Sequence, residues 1–183
     1  MKNLTDQLAN YAAYHRDRRN IATHLIGVPM IVFGVVTLMA RPAIGVAGLP
    51  LTPAIAALIA AGIYYLLLDF ALGLGLILVL GAMAWVGHAV AAAGTPTWLT
   101  VGIGMFVVGW IIQFIGHYYE GRKPAFVDDI LGLLIGPLFV LAEVVFMLGG
   151  RRALQETIKA SVGPKGVRDM RAKTADAVQS KVV

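Results

Sequence analysis

The chain has 183 residues, of which 58% are hydrophobic and only 14% are charged. Soluble domains carry about 25% charged residues, so this composition excludes an ordinary water-soluble domain and indicates a protein embedded in lipid. The net charge of +5 arises after residue 150, because the seven basic and seven acidic groups of residues 1–150 cancel. A basic segment after an apolar run is typical of a cytoplasmic tail at a membrane, not of a nucleic-acid interface.

Four apolar runs have the length of a membrane-crossing helix: residues 20–40, 51–68, 70–90 and 98–119. The first helix is predicted to begin with Asn20 as N-cap and to bend at Pro29. The second and third runs together exceed the length that one bilayer needs, so they predict a tight hairpin with Asp69 at its turn. In the fourth run glycines recur every seven residues, a stripe that lets another helix approach closely: Gly102, Gly109 and Gly116.

A fifth apolar run, residues 126–149, contains acidic residues and a Gly136-Pro137 pair. Basic residues near both ends of the chain favour a cytoplasmic position for both termini. Four crossings followed by a re-entrant helical hairpin, broken at Gly136-Pro137, satisfy that rule. The sequence therefore predicts an all-α integral membrane protein with four transmembrane helices and this broken hairpin. Residues 1–150 form the membrane domain, and residues 151–183 form a basic tail that is partly helical and flexible from Gly163.

Three of the four histidines are predicted to meet at the cytoplasmic end of the helices, namely His15, His24 and His117. His15 and His24 are nine residues apart, so they face the same site only if the chain turns between them. On the fourth helix Gln113, His117 and Glu120 share one face. Neutral imidazoles with a carboxylate suit Fe(II), Zn(II) or a similar metal.

Other polar residues have simpler interpretations. His88 lies at the opposite end of the helices and is expected to be a satisfied interfacial histidine. Glu120 is either a fourth ligand, an acceptor that fixes an imidazole, or an ion-pair partner of a neighbouring cation. Asp128 and Asp129 are expected to cap the following helix. Glu143 has no neighbouring cation in the sequence that would neutralise it.

The chain resembles a known family at three blocks of residues, which cover about residues 10–148. The blocks are Tyr14-His15-Arg16-x-x-x-Asn20-x-x-x-His24-x-x-Gly27-x-Pro29, Trp110-x-x-Gln113-Phe114-Ile115-Gly116-His117-x-x-Glu120-Gly121-x-x-Pro124-Ala125, and Pro137-x-Phe139-x-x-x-Glu143. This pattern is similar to that of the Mpo-type 2-hydroxy fatty acid dioxygenases. The tail after Gly150 has no counterpart in the resemblance.

The resemblance implies an Fe(II)-dependent α-oxidation, in which a long-chain 2-hydroxy fatty acid and O₂ give a fatty acid one carbon shorter. It implies His15, His24 and His117 as iron ligands, with Glu120 beside them at the catalytic site. A cationic rim for the substrate carboxylate is expected from Arg16, Arg19 and Lys123. The site should face the cytoplasm from a bacterial inner membrane or an endoplasmic reticulum membrane. Its partners are then the substrate, O₂ and membrane lipids, with no nucleic acid; the oligomeric state is left open.

Other function classes stay open on the residues alone. A di-iron membrane desaturase is excluded, because its site needs about eight histidines and this chain has four. A zinc-dependent membrane hydrolase fits three ligands and a water, although no H-E-x-x-H pair is present. A small transporter would place polar residues along a path at the membrane midplane, and a structural membrane protein needs no metal.

Overall fold

The computed structural model describes residues 3–46, 49–127 and 129–170. Its helices are α1 (Leu4–Ala12), α2 (Arg18–Leu38), α3 (Pro53–Leu68), α4 (Phe70–Ala92), α5 (Thr95–Glu120), α6 (Gly132–Met147) and α7 (Arg152–Val162). A 3₁₀ turn, Ala125–Val127, precedes α6, and two short antiparallel strands join α2 to α3: β1 (Ile44–Val46) and β2 (Leu49–Leu51). The predicted all-helical character is confirmed apart from this small hairpin.

Three helices are long and apolar enough to cross a membrane, namely α2, α4 and α5. The second predicted span, α3, has only 16 residues. Helices α6 and α7 form a bent pair with an angle of 115° between them. By length and composition the described residues therefore contain three candidate spans, or four if the bent pair is one span, and α3 is a shorter apolar helix beside them.

The start of α2 differs from the prediction. Asp17, not Asn20, is the N-cap, and its side chain accepts a hydrogen bond from Arg19 N at 2.8 Å. Asn20 lies inside the helix, where its amide donates to Glu120 at 3.0 Å. Both residue types cap helices well. The contact with a distant helix therefore decided which of them occupies the cap.

The predicted hairpin of α3 and α4 is confirmed, with Asp69 at its turn. Asp69 ends α3 in an extended conformation, and its carboxylate caps α4 by accepting from Leu72 N at 2.9 Å. Its other oxygen pairs with Arg151. At the opposite end of the helices Thr52 caps α3. One polar residue at each end thus fixes where the apolar helix begins and stops.

Helices α2 and α5 pack closely through glycines, as the seven-residue stripe predicted. A Cβ added to Gly109 would lie 2.9 Å from the carbonyl oxygen of Gly27, and one added to Gly102 would meet Leu38. On α2, Gly27 and Gly34 form the matching surface. This contact holds His24 of α2 beside His117 of α5, so it determines the distance between these two histidines.

The predicted break at Gly136-Pro137 is wrong. Helix α6 continues through both residues, with Pro137 as its sixth residue. Proline at this position removes one intrahelical hydrogen bond, which the flanking turns tolerate. The chain turns instead after Met147, where Gly149 has a φ of +82° that favours glycine and Arg151 has a φ of +52°.

The segment after α7 is held by hydrogen bonds, which corrects the expectation that it is flexible from Gly163. Gly166 accepts from Arg18 N at 2.8 Å and donates to the Arg16 carbonyl oxygen at 3.0 Å. Arg168 N donates to the Asp17 carboxylate at 2.8 Å. Residues 163–168 therefore form a strap across the corner between α1 and α2. Part of the basic tail, residues 171–183, lies outside the described residues.

The largest apolar core among the described residues joins α1, α3, α4, α6 and α7. Leu8, Ile135, Leu138 and Phe139 are almost fully buried within it, and Ile158 of α7 completes it. Because α1 and α6 pack together, the core fixes where α1 ends. It therefore also positions the corner after α1, which carries His15.

Candidate metal centre

Three histidines meet at one end of the helices, as predicted. His15 comes from the corner between α1 and α2, His24 from the second turn of α2, and His117 from the last turn of α5. All three are buried, with exposed fractions of 0%, 2% and 7%. One ring nitrogen of each lies within 4.8 Å of those of the others. A metal ion can be bound by all three at once.

Backbone carbonyls fix the protonation of two of these rings. His15 Nδ1 lies 2.7 Å from the Tyr11 carbonyl oxygen, and His24 Nδ1 lies 2.8 Å from the Asn20 carbonyl oxygen. A carbonyl oxygen can only accept, so each Nδ1 carries the proton and each Nε2 carries a lone pair. Such a second hydrogen bond is the usual support of a metal-binding histidine.

The two lone pairs point at each other. The Nε2 atoms of His15 and His24 are only 2.9 Å apart. Burial, and then the charge of a protonated His24, lower the pKa of His15 well below its ordinary value, so a proton between the rings is disfavoured. A bound cation relieves this repulsion, and neutral imidazoles are the form that metals require.

His117 also has a ring nitrogen that is available to bind a metal. His117 Nδ1 is buried and has no hydrogen-bond partner among the described residues. A buried polar atom without a partner is costly in a folded protein. The donor set of three neutral, buried imidazoles therefore fits a transition-metal ion.

The chain turn that brings His15 to His24 lies earlier than expected. The corner spans Tyr14 to Asp17, with Asp17 capping α2, whereas the sequence placed it at Asn20. Tyr11 stacks on the His15 ring at 4.2 Å with an interplanar angle of 6°. Sequence reasoning missed Tyr11, although its i, i+4 spacing from His15 places both at one end of α1 and is a usable signal.

Glu120 supports the corner. Its carboxylate accepts hydrogen bonds from Arg16 N at 3.0 Å, Asp17 N at 2.8 Å and Asn20 Nδ2 at 3.0 Å. Among the described residues these donors come from the corner and the start of α2, and an imidazole is not one of them. These hydrogen bonds thus place Glu120 behind the loop that carries His15.

Two of the three predicted carboxylate-binding cations, Arg16 and Arg19, have partners other than the histidines. The Arg16 guanidinium donates to the Gly163 carbonyl oxygen in the strap. Arg19 pairs with Asp17 at 2.7 Å and lies 4.5 Å from the centre of the Tyr119 ring. Lys123 is exposed on the loop after α5. Arg16 is nearest in sequence to the site, because it follows His15 directly.

A cavity of about 60 Å³ adjoins the histidines. Its polar lining includes Tyr11, His24, Gln113 and His117, and mainly apolar residues of α2, α5, α6 and the Pro124-Ala125 segment form the remainder. Gln113 Oε1 is buried and has no hydrogen-bond partner in the described part of the chain. The cavity therefore offers unpaired polar atoms on one side and an apolar wall on the other.

Of the remaining polar residues, His88 follows its simpler interpretation, and Asp129 and Glu143 do not. His88 has partners on both ring nitrogens, Thr52 at 3.1 Å and the Ala84 carbonyl oxygen at 2.7 Å, as expected of a satisfied histidine. Asp129 accepts from Leu131 N at 3.0 Å, but it does not cap α6 as expected, because Leu131 is the N-cap residue of that helix and no side chain bonds there. Asp128 lies outside the described residues. Glu143 pairs with Lys165 of the strap, a cation too distant in sequence to be recognised as its partner.

Comparison with known proteins agrees with this geometry. Residues 1–148 match the family described as 2-hydroxy-palmitic acid dioxygenase Mpo1-like. The chain is 33% identical over 160 residues to the 2-hydroxy-palmitic acid dioxygenase MPO1 of Saccharomyces cerevisiae. The aligned region covers 85% of this chain and 87% of the yeast protein. No solved structure matches the chain.

Proposed function

The chain belongs to the Mpo1-like family, and from this premise we propose that it is a dioxygenase of fatty acid α-oxidation. Its substrates are a long-chain 2-hydroxy fatty acid and O₂. The products are the fatty acid one carbon shorter, CO₂ and water, a set that balances in atoms and electrons without an external reductant. The bond between C1 and C2 breaks, and C2 becomes the new carboxyl carbon.

The meeting of three buried histidines carries this proposal. His15, His24 and His117 would hold Fe(II), which supplies the redox chemistry with O₂ and keeps coordination positions open for the substrate. The Tyr11 and Asn20 carbonyl oxygens keep the two Nε2 lone pairs available. Glu120 keeps the His15 corner against α5. These groups prepare the site before any substrate arrives.

The chain's own polar groups bind and orient the substrate head. Gln113 Oε1 can accept a hydrogen bond from the 2-hydroxyl group, since it is buried beside His24 and His117 without a partner among the described residues. Arg16, Arg19 and Lys123 are proposed to attract the carboxylate at the rim. Of these, Arg16 is favoured, because only a rotation of its side chain away from Gly163 is needed.

The membrane arrangement is part of the proposal. Helices α2, α3, α4 and α5 cross the bilayer, the bent pair α6 and α7 lies against one face, and both termini are cytoplasmic. The histidine cluster and Asp69 lie at one end of the helices, and His88 with Thr52 lies at the other. The active site then faces the cytoplasm, with residues 1–150 as the membrane domain and 151–183 as the basic tail.

The reaction can be tested with 2-hydroxypalmitate. We expect protein purified without oxygen and loaded with Fe(II) to convert it in air to a fifteen-carbon acid, with the C1 carbon released. Palmitate itself should not react, because the site needs oxygen atoms on both C1 and C2. Unchanged 2-hydroxypalmitate with iron confirmed in the protein would exclude this reaction.

Metal analysis separates the alternatives. A transporter or structural membrane protein requires no stoichiometric metal, and a hydrolase of this design would be active with zinc. Activity restored by Fe(II) but not by Zn(II) to metal-free protein is the expected result.

A further inference from the structure

An apolar cleft of about 260 Å³ lies between α2, α4 and α6. Each helix contributes four residues at the spacing i, i+3, i+4, i+7, which is one face of an α-helix. The stripes run from Leu25 to Val32, from Leu76 to Met83 and from Pro137 to Val144. Every described residue that lines the cleft is apolar, so its walls suit an aliphatic chain.

The cleft adjoins the histidine cavity. Val28, Val32 and Pro137 line both spaces, while His24 and His117 line the cavity. A molecule with a small polar head and an apolar tail can therefore occupy both at once. The cavity of about 60 Å³ admits a carboxyl and a hydroxyl group, which favours a fatty acid over a bilayer lipid with its larger headgroup.

The cleft also has a direction. Along α2, Leu25 follows His24, and Val32 lies two turns further, about 10 Å away at 1.5 Å per residue. Val36 packs with Ala84, and Val32 lies against this pair. Met83, which precedes Ala84, is thus at the end of the cleft farthest from His24.

We propose that this cleft binds the aliphatic chain of the 2-hydroxy acid and that Met83 sets the chain length the protein accepts. This inference rests on the proposed function, because it names the tail site of the same substrate. Each methylene buried in the cleft should raise kcat/KM about fourfold until the chain reaches Met83, which corresponds to about 0.8 kcal/mol.

The test is a change of chain-length preference in Met83→Trp. We expect kcat/KM for 2-hydroxypalmitate to fall about tenfold or more, because several terminal methylenes can no longer be buried in the cleft. The kcat/KM for 2-hydroxyoctanoate should be unchanged. Leu78→Trp is the matched control, since Leu78 is on α4 outside the cleft and 67% exposed. Met83→Ala should shift the preference toward longer chains.

A readout independent of turnover is photo-cross-linking with a 2-hydroxypalmitate that carries a diazirine at a mid-chain carbon, at the depth in the cleft where Met83 lies. Labelling near Met83 on α4 is expected, and labelling only on α3 or α5 would overturn the proposal. An unchanged preference in both Met83 variants would also overturn it, with the cleft then belonging to a bilayer lipid. Failure of the unmodified protein to act on any 2-hydroxy acid would instead count against the proposed function.

Discussion

At the residue scale, the site depends on which atoms hold protons. The imidazoles of His15 and His24 each donate a hydrogen bond from Nδ1 to a carbonyl oxygen within 2.8 Å. Both Nε2 atoms therefore carry lone pairs, and they lie 2.9 Å apart. The sequence predicted the three histidines, because their residue type and blocks are distinctive. It could not predict the carbonyl partners, because every residue has a carbonyl and only the fold decides which one is near.

Glu120 gives a prediction at this scale. In Glu120 the Oε2 atom accepts from Arg16 N, Asp17 N and Asn20 Nδ2, and Oε1 shares Arg16 N. Glu120→Gln replaces this charged acceptor with a neutral amide, so the buried hydrogen bonds weaken at a cost of about 1–3 kcal/mol. The corner that carries His15 should loosen, and metal affinity should fall about 10–100-fold. Competition with a chelator measures this affinity.

The matched control is Glu156→Gln, because Glu156 is exposed on α7 and pairs only with Lys159 among the described residues. Its metal affinity should equal that of the unchanged protein. Equal affinities for both variants would mean that Glu120 has no positioning role.

At the element scale, glycines decide how closely α2 and α5 pack. The seven-residue spacing on α5 predicted a close partner, but Gly27 and Gly34 of α2 were recognised as that partner only in the structure. The expected break of α6 at Gly136-Pro137 was wrong because a proline early in a helix removes only one hydrogen bond. The turn at Gly149 follows from a backbone conformation that composition does not reveal.

Gly109→Ala tests this packing. Its Cβ would lie 2.7 Å from Ile31 Cγ1 and 2.9 Å from the Gly27 carbonyl oxygen, so α2 and α5 must separate at a cost of about 1–3 kcal/mol. His24 then moves away from His117, and both the thermal midpoint and the metal content should fall. Gly104→Ala, which has open space around its Cβ, should leave both unchanged. Equal behaviour of the two variants would contradict the packing argument.

The strap gives a second prediction for an element. A chain ending at Val162 loses the hydrogen bonds of Gly166 to Arg16 and Arg18, whereas a chain ending at Met170 keeps them. The shorter chain should bind metal more weakly in chelator competition, because the His15 corner has lost one of its two supports. If both truncated chains bind metal equally, the strap does not contribute to the site.

At the scale of the whole molecule, composition indicated a lipid environment, and three helices long and apolar enough to cross a membrane are consistent with it. The ends of the helices carry the polar residues. The described structure groups His15, Asp69 and Glu143 at one end and His88 at the other. The number of crossings is less determined by the sequence, because α3 is an apolar helix of only 16 residues. Length predicts a span, but the packing of neighbours decides whether a short helix crosses.

The orientation can be tested with single cysteines, since the chain has none of its own. Ser161→Cys on α7 should react with an impermeant maleimide only in permeabilised cells, because we place α7 on the cytoplasmic side. Thr97→Cys, at the start of α5, should react in intact cells. The reverse pattern would place the active site on the other side of the membrane.

The central claim is that His15, His24 and His117 bind one metal ion, and metal quantification of purified variants tests it most directly. The unchanged protein and His88→Ala should each carry about one iron per chain, because His88 is held by Thr52 at the far end of the helices. His24→Ala should carry almost none, because two imidazoles bind more weakly than three. Full iron occupancy in His24→Ala would contradict the account.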